Sequence, residues 1–281
     1  MSRLEEILSL VKHVPPFPKV AMRVTEMLQN PEVTVSELAE VIQFDPVITA
    51  NVLKICNASY FGLPRKVSSL DEALVIVGND ILKDIIITSS SARFYKGAAG
   101  EGYKLEQGEL WRHSVATGIM AKELVKHIPA VNSGTAFTVG LLHDIGKRFL
   151  SSFVADEFKK IMSKVLADGC SFVEAEKELL GASHAELGGM ILNQWDFPKE
   201  MELAVLQHHD PDALEKDPLT AVVALANALV ISMGVGVGAD GLSVKMQGTG
   251  LKKFGITPMD LELCMATLFM EMERAEELFH L

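Results

Sequence analysis

Helix-starting signals recur along this chain and strand signals do not, which narrows the possible folds more than any other feature. Thr34 with Glu37 stands before LAEVI, Ser69 with Glu72 before ALVIVG, and Ser183 with Glu186 opens HAELGGMILNQW. In such a pair the hydroxyl accepts from the backbone N–H three residues on, while the Glu reaches back to the cap. Asp217-Pro218 and Thr257-Pro258 put a capping residue before a proline at the first helical position. Apolar residues then return at helical spacing, as in Leu187, Ile191 and Trp195, or Val222, Leu225 and Leu229. No two alternating apolar runs are joined by a tight turn. The expected fold class is all-α.

The segment YKGAAGEGYK, residues 95–104, is Gly-rich, small and polar. It reads as the boundary between an N-terminal helical lobe, 1–95, and a larger C-terminal lobe, 104–281, within one domain over 1–281. No repeat of solenoid period is present. Residues 219–239 carry no charge, but they are built largely from Ala, Gly and Val, hold Asn227 near the middle and end in GVGVG. A buried helix followed by a loop is expected there, not a membrane span. The loop GVGVGADG follows a helix and lacks the GK[ST] ending of a phosphate cradle, so it reads as a mobile loop.

A net charge of -11 over 281 residues argues against broad binding to nucleic acid or to an anionic membrane, since both need a basic face. The three Cys (Cys56, Cys170 and Cys264) are far apart and suggest neither a disulfide framework nor a metal motif. The opening MSRLEEILSLVKHVPPFP is amphipathic and mixed in charge, unlike a secretory leader. A reducing, cytoplasmic setting is expected.

Chemistry concentrates in the histidines. Five of the eight form an ordered set in the C-terminal part: His113, His143, His184, His208 and His209. Asp144 stands beside His143 in GLLHDIGK, with Lys147 one helical turn on. Singly, each His has an ordinary reading: His113 as a core residue near Trp111, His184 as a surface residue at a helix start, and His208 and His209 as a C-terminal pair favoured by the helix dipole. GLLHDIGK is harder to explain that way, because burying even a neutral polar group unpartnered costs about 2–7 kcal/mol on transfer scales. Imidazole and carboxylate are the usual ligands of Zn, Fe, Mn and Ni. A carboxylate such as Asp144 can bridge two ions, and Lys147 on the same face could bind a phosphate oxygen.

GLLHDIGK, preceded by the His113-Ser114 pair on an earlier helix, resembles the HD superfamily of metal-dependent phosphohydrolases. The wider chain resembles the HDOD family, bacterial signalling output domains related to the HD-GYP phosphodiesterases. VIQFDPVITANVLKICNASYFG is similar to that family's hallmark stretch, and PPFPKV and VSSLDEALVIVG to the segments around it. The resemblance implies a two-lobed helical HDOD fold with an HD-like C-terminal bundle. It implies one metal held by His113, His143, Asp144 and Asn227, the last an amide where a carboxylate is expected. It implies a second held by Asp144, His184, His208 and His209. One or two divalent transition-metal ions (Fe, Zn, Ni or Mn) are expected, bound more weakly on the Asn227 side. After HHD the chain runs PDALEKDPL with no Gly-Tyr-Pro, which argues against cyclic di-GMP hydrolysis. Two functions follow. One is a regulatory output module working with other signalling proteins, its input arriving from another chain. The other is a phosphohydrolase acting on a nucleotide or phosphodiester, with Asp144 and Lys147 as its catalytic residues. Asp45 and Asn57 read as caps or hydrogen-bonding residues, not ligands.

Overall fold

The computed structural model describes residues 3–58, 61–96, 100–210, 215, 217–241 and 248–279. Among them there is no strand. The helices are α1 (Arg3–His13), α2 (Lys19–Met27), α3 (Val35–Ile42), α4 (Pro46–Cys56), α5 (Leu70–Val77), α6 (Asn79–Ala92), α7 (Glu109–Leu124), α8 (Ser133–Leu142), α9 (Ile145–Asp168), α10 (Phe172–Leu180), α11 (His184–Gln194), α12 (Lys199–Gln207), α13 (Pro218–Ser232), α14 (Gly248–Lys253) and α15 (Pro258–Phe279). They fall into two compact units. One holds residues 16–93 with 273–281, the other residues 1–15 with 94–272.

In the smaller unit, α2 to α6 close over an aliphatic core that includes Leu38, Ile42, Ile48, Ile55, Leu82, Ile85 and Ile86. Asp45 caps α4, accepting from the N–H groups of Val47 and Ile48 ahead of Pro46. Asn57 ties the end of α4 to the following loop: its amide donates to the Leu53 and Val67 carbonyls and accepts from Val67 N–H. Both residues are therefore structural. The capping box at Thr34 and Glu37 forms in full. The one at Ser69 and Glu72 does not: Ser69 sits at the cap but accepts no hydrogen bond from the helix. Glu72 turns instead to Arg65, 2.6 Å away, so an ion pair displaces the reciprocal cap.

The larger unit contains α1 and α7 to α14. Trp195 Nε1 donates to the Pro15 carbonyl at 2.9 Å, and Arg3 pairs with Glu157 at 2.8 Å, which fastens α1 and the residues after it. The Gly-rich segment that suggests a boundary in the sequence packs within this unit: Tyr95 Oη donates to the Leu141 carbonyl, Gly102 N–H to Ser151 Oγ, and Tyr103 is fully buried. Residues 97–99 lie outside the described residues. The Ser183–Glu186 box and the Asp217 cap before Pro218 are present. Along α13, Val222, Leu225 and Leu229 are buried, as the sequence pattern implies. No helix among the described residues is long and apolar enough to cross a membrane.

The two caps should behave differently. Thr34→Ala should destabilise its unit by about 1 kcal/mol, as loss of a used cap does. Ser69→Ala should change stability by only a few tenths. Urea unfolding of both variants, followed by circular dichroism, checks the difference.

Candidate metal centre

Close helix contacts assemble the site. A Cβ on Gly140 would lie 2.8 Å from the Thr117 carbonyl oxygen and 2.9 Å from Gly118 Cα, so α7 and α8 touch backbone to backbone. That contact places His113 on α7 near His143 just past α8, with ring centroids 5.3 Å apart. A Cβ on Gly146 would lie 1.9 Å from the His184 carbonyl oxygen, an impossible separation for any side chain. The glycine of GLLHDIGK thus seats the start of α9 on the start of α11 and brings His184 to Asp144.

His143 and Asp144 occupy the break between α8 and α9. His143 lies just beyond its helix, and its Nδ1–H donates to the Gly140 carbonyl at 2.7 Å. His208 stands in the same relation to α12, donating Nδ1–H to the Val205 carbonyl at 2.7 Å. Each satisfies a carbonyl that the helix end leaves open. His113 Nδ1–H donates to the Val235 carbonyl at 3.0 Å, and His184 Nδ1–H to Glu176 Oε2 at 2.7 Å. These partners can only accept, so in each neutral ring the proton sits on Nδ1 and Nε2 carries a lone pair.

The four Nε2 atoms face one carboxylate. Asp144, fully buried, has its Oδ2 3.2 Å from His143 Nε2 and 3.6 Å from His113 Nε2. Its Oδ1 lies 3.4 Å from His184 Nε2 and 3.7 Å from His208 Nε2. His209, half-buried, brings its Nε2 within 3.1 Å of His184 Nε2. Asp144, His184, His208 and His209 form one group able to hold a metal ion, and His113, His143 and Asp144 another. All six residues are thus brought together.

Electrostatics keep most of these rings neutral. Burial brings His113 and His208 each down to about 4, against the opposing pull of Asp144. Burial, with His208 and His184 beside it, holds His209 well below its ordinary value. His184 moves the other way, because Glu176 outweighs burial. Burial pushes the Asp144 carboxyl up, but His143 and Lys147 together hold it well below the usual carboxylate range.

The remaining expected residues sit less as anticipated. Asn227 Oδ1 lies 3.0 Å from His113 Nε2, an amide against the ring nitrogen itself. Lys147 is 3% exposed and does not face solvent; its Nζ is 2.6 Å from Asp144 Oδ2 and 2.5 Å from Asp240 Oδ2. Those two carboxylates raise the ammonium above its ordinary value despite burial. The loop GVGVGADG is packed on the site, contrary to the expectation of mobility. Val235 holds His113, Asp240 holds Lys147, and Ala239 N–H donates to the Tyr103 carbonyl. Local composition favoured a free loop because none of these partners is near in sequence.

Three functional candidates are invisible in the sequence pattern. Glu176 is fully buried, accepts from both the ring and the backbone N–H of His184, and takes a 2.6 Å hydrogen bond from Tyr103 Oη. Tyr103 also lies beneath Lys147 Nζ, 5.5 Å from its ring centre. Asp240 is the third. Glu176 stands on a helix rich in Glu, where nothing distinguishes it locally, and the break after Leu180 puts His184 on the next helix.

A metal suits this set on structural grounds. His143 Nε2, His208 Nε2 and Asp144 Oδ1 are buried without a hydrogen-bond partner. Buried polar atoms are rarely left so, and lone pairs converging on one point repel unless a cation lies between them.

An all-helical chain with a His-Asp pair at a helix junction, ringed by further histidines from neighbouring helices, is a protein of the HD type. The family model for the HDOD domain matches residues 14–211, and the chain belongs to that family. It is similar over nearly its whole length to an HDOD domain protein of unknown function from Geobacter sulfurreducens. That pair is 27% identical, with 99% of this chain and 98% of the other covered and a TM-score of 0.75. A proposed signal-transduction protein from Marinobacter aquaeolei VT8 shares the fold at 20% identity and a TM-score of 0.69, with 95% of this chain and 59% of that one covered. An uncharacterized protein of Treponema pallidum (strain Nichols) is 23% identical over 223 residues. The match takes in 78% of this chain and 42% of that relative, so the chain spans less than half of its length.

Two substitutions probe the construction. Glu176→Gln keeps the shape but removes the charge behind His184; metal affinity should fall about 10- to 100-fold, the usual effect of losing such a partner. Competition against a chromophoric chelator measures it. Gly146→Ala should destabilise the unit by about 3 kcal/mol, the upper part of the usual range for overpacking, because backbone must move. Thermal and urea unfolding check that value.

Proposed function

We propose that this chain is a regulatory output module of bacterial signal transduction whose HD-type site binds a divalent transition metal without hydrolysing phosphodiesters. The observation that carries this reading is the state of Lys147. The residue expected to steady a substrate phosphate is buried between Asp144 and Asp240. Asn227, where a carboxylate ligand is expected, lies against His113 Nε2. The missing Gly-Tyr-Pro loop points the same way. The matches to longer proteins support a module that works joined to, or beside, other signalling proteins.

When bound, the metal would supply Lewis acidity and a fixed positive charge. His184, His208, His209 and Asp144 would hold it, with Glu176 orienting His184. An imidazole-rich set with one carboxylate favours Fe, Zn, Ni or Mn over Mg or Ca. The net charge of -11 supports protein partners over nucleic acid or an anionic membrane.

The second reading, a phosphohydrolase acting on a nucleotide or phosphodiester, is favoured by the nearly complete ligand set and by the orphaned atoms around Asp144. In it Asp144 and Lys147 would be catalytic, and Lys147 would first have to leave both carboxylates. Elemental analysis and hydrolysis assays separate the two. Purified protein should contain a transition metal in stoichiometric amount, and the His143→Ala/Asp144→Ala variant should not. The metal-loaded wild type should be no more active than that variant toward bis-p-nitrophenyl phosphate, cyclic dinucleotides and nucleoside triphosphates. Turnover abolished by the double substitution would establish the hydrolase instead.

A further inference from the structure

We propose that the site takes a single metal ion, held on the Oδ1 side of Asp144 by His184, His208 and His209, and that Lys147, drawn in by Asp240, fills the place of a second ion on the Oδ2 side. The proposal rests on the metal-binding reading above and specifies how many ions bind and where.

The two oxygens of Asp144 live in different surroundings. Oδ2 already accepts from the Lys147 ammonium at 2.6 Å, whereas Oδ1 is buried with no hydrogen-bond partner. The imidazoles divide in the same way. His208 Nε2 has no partner. His113 Nε2 lies 3.0 Å from the Asn227 amide. Its Nδ1–H is committed to the Val235 carbonyl, so Nε2 accepts, and the amide must turn its NH2 toward it. Of the group around Oδ2, only the His143 lone pair is then unused. The atoms awaiting a cation gather at Oδ1; those around Oδ2 are largely satisfied.

Charge leads to the same conclusion. Three buried carboxylates surround the centre, Asp144, Glu176 and Asp240, and Lys147 is the buried cation among them. One divalent ion together with Lys147 balances those three charges. A second would leave two positive charges uncompensated in a buried site, where unpaired charge is strongly unfavourable. A mobile lysine could swing aside, but Lys147 is held from both ends and lies over the Tyr103 ring. Asp240 thereby supplies a carboxylate on the side where Asn227 offers none, and directs it to an ammonium instead of a metal. Both residues lie beyond the segment matched by the HDOD family model.

The test uses the full chain, stripped with chelator and titrated with cobalt(II) and zinc(II). Elemental analysis and calorimetry give stoichiometry, and cobalt absorption reports the ligand set. Wild type should bind one equivalent. His113→Ala should retain that equivalent with an unchanged cobalt spectrum, whereas His208→Ala should lose it. Lys147→Gln, which keeps a hydrogen-bond donor between the carboxylates, should take up a second equivalent. Two equivalents of similar affinity in wild type would overturn the proposal while leaving the metal-binding reading intact. So would an ion lost with His113 and kept without His208. A Lys147→Gln protein that stays at one equivalent at saturating metal would overturn the role given to Lys147. No metal bound by wild type would overturn both the proposal and the reading beneath it. The wild-type stoichiometry and spectrum decide the matter even if a substituted chain fails to fold.

Discussion

The Asp144 carboxylate is fully buried and ionised, and much of the larger unit is arranged around that fact. A lone ion in a protein interior costs several kcal/mol even after relaxation. Here Lys147 compensates one oxygen, while a ring of imidazoles faces both. Those imidazoles are oriented from behind, three by backbone carbonyls and one by Glu176. The orientation turns lone pairs, not protons, toward the carboxylate. A lone-pair cluster around an anion is repulsive until a cation completes it, which makes the cluster able to hold a metal ion.

That electrostatic arrangement depends on helices approaching more closely than side chains permit. Gly140 lets α8 touch α7, and Gly146 lets α9 rest on α11. The glycine in GLLHDIGK thus has a packing role: it sets the His184 end of the site against the Asp144 end. The break between α8 and α9 does the rest. His143 closes one helix through its Nδ1, and Asp144 precedes the next, so adjacent residues diverge toward different partners. The loop at residues 234–241 adds Val235 behind His113 and Asp240 behind Lys147. A segment that looks like punctuation in the sequence forms part of the site's wall.

The HDOD resemblance and the metal centre have different implications for function. The resemblance carries an expectation of signalling, while a His-Asp cluster of this kind carries one of hydrolysis. Lys147 bears on both, since its ammonium is occupied with the buried carboxylates of Asp144 and Asp240. A site of this kind can keep its metal and its fold while offering little to a substrate. An ion held by Asp144, His184, His208 and His209 would tie the α8–α9 break to α11 and the end of α12.

The sequence by itself determined the all-helical class, most helix starts and the identity of the histidines, because capping, apolar periodicity and a His-Asp pair are local signals. Thr34–Glu37, Ser183–Glu186 and Asp217-Pro218 all cap as their spacing implies. The one failure among those boxes, Ser69, came from a competitor that spacing does not reveal, Arg65 pairing with Glu72. Only the tertiary structure decided what each site residue faces. Glu176, Tyr103 and Asp240 gave no local sign of their roles, and Lys147 pointed toward a phosphate until folding enclosed it between two acids. The physical reason is that a side chain's protonation, partner and charge balance are set by atoms brought near from distant parts of the chain, and no window of sequence contains them.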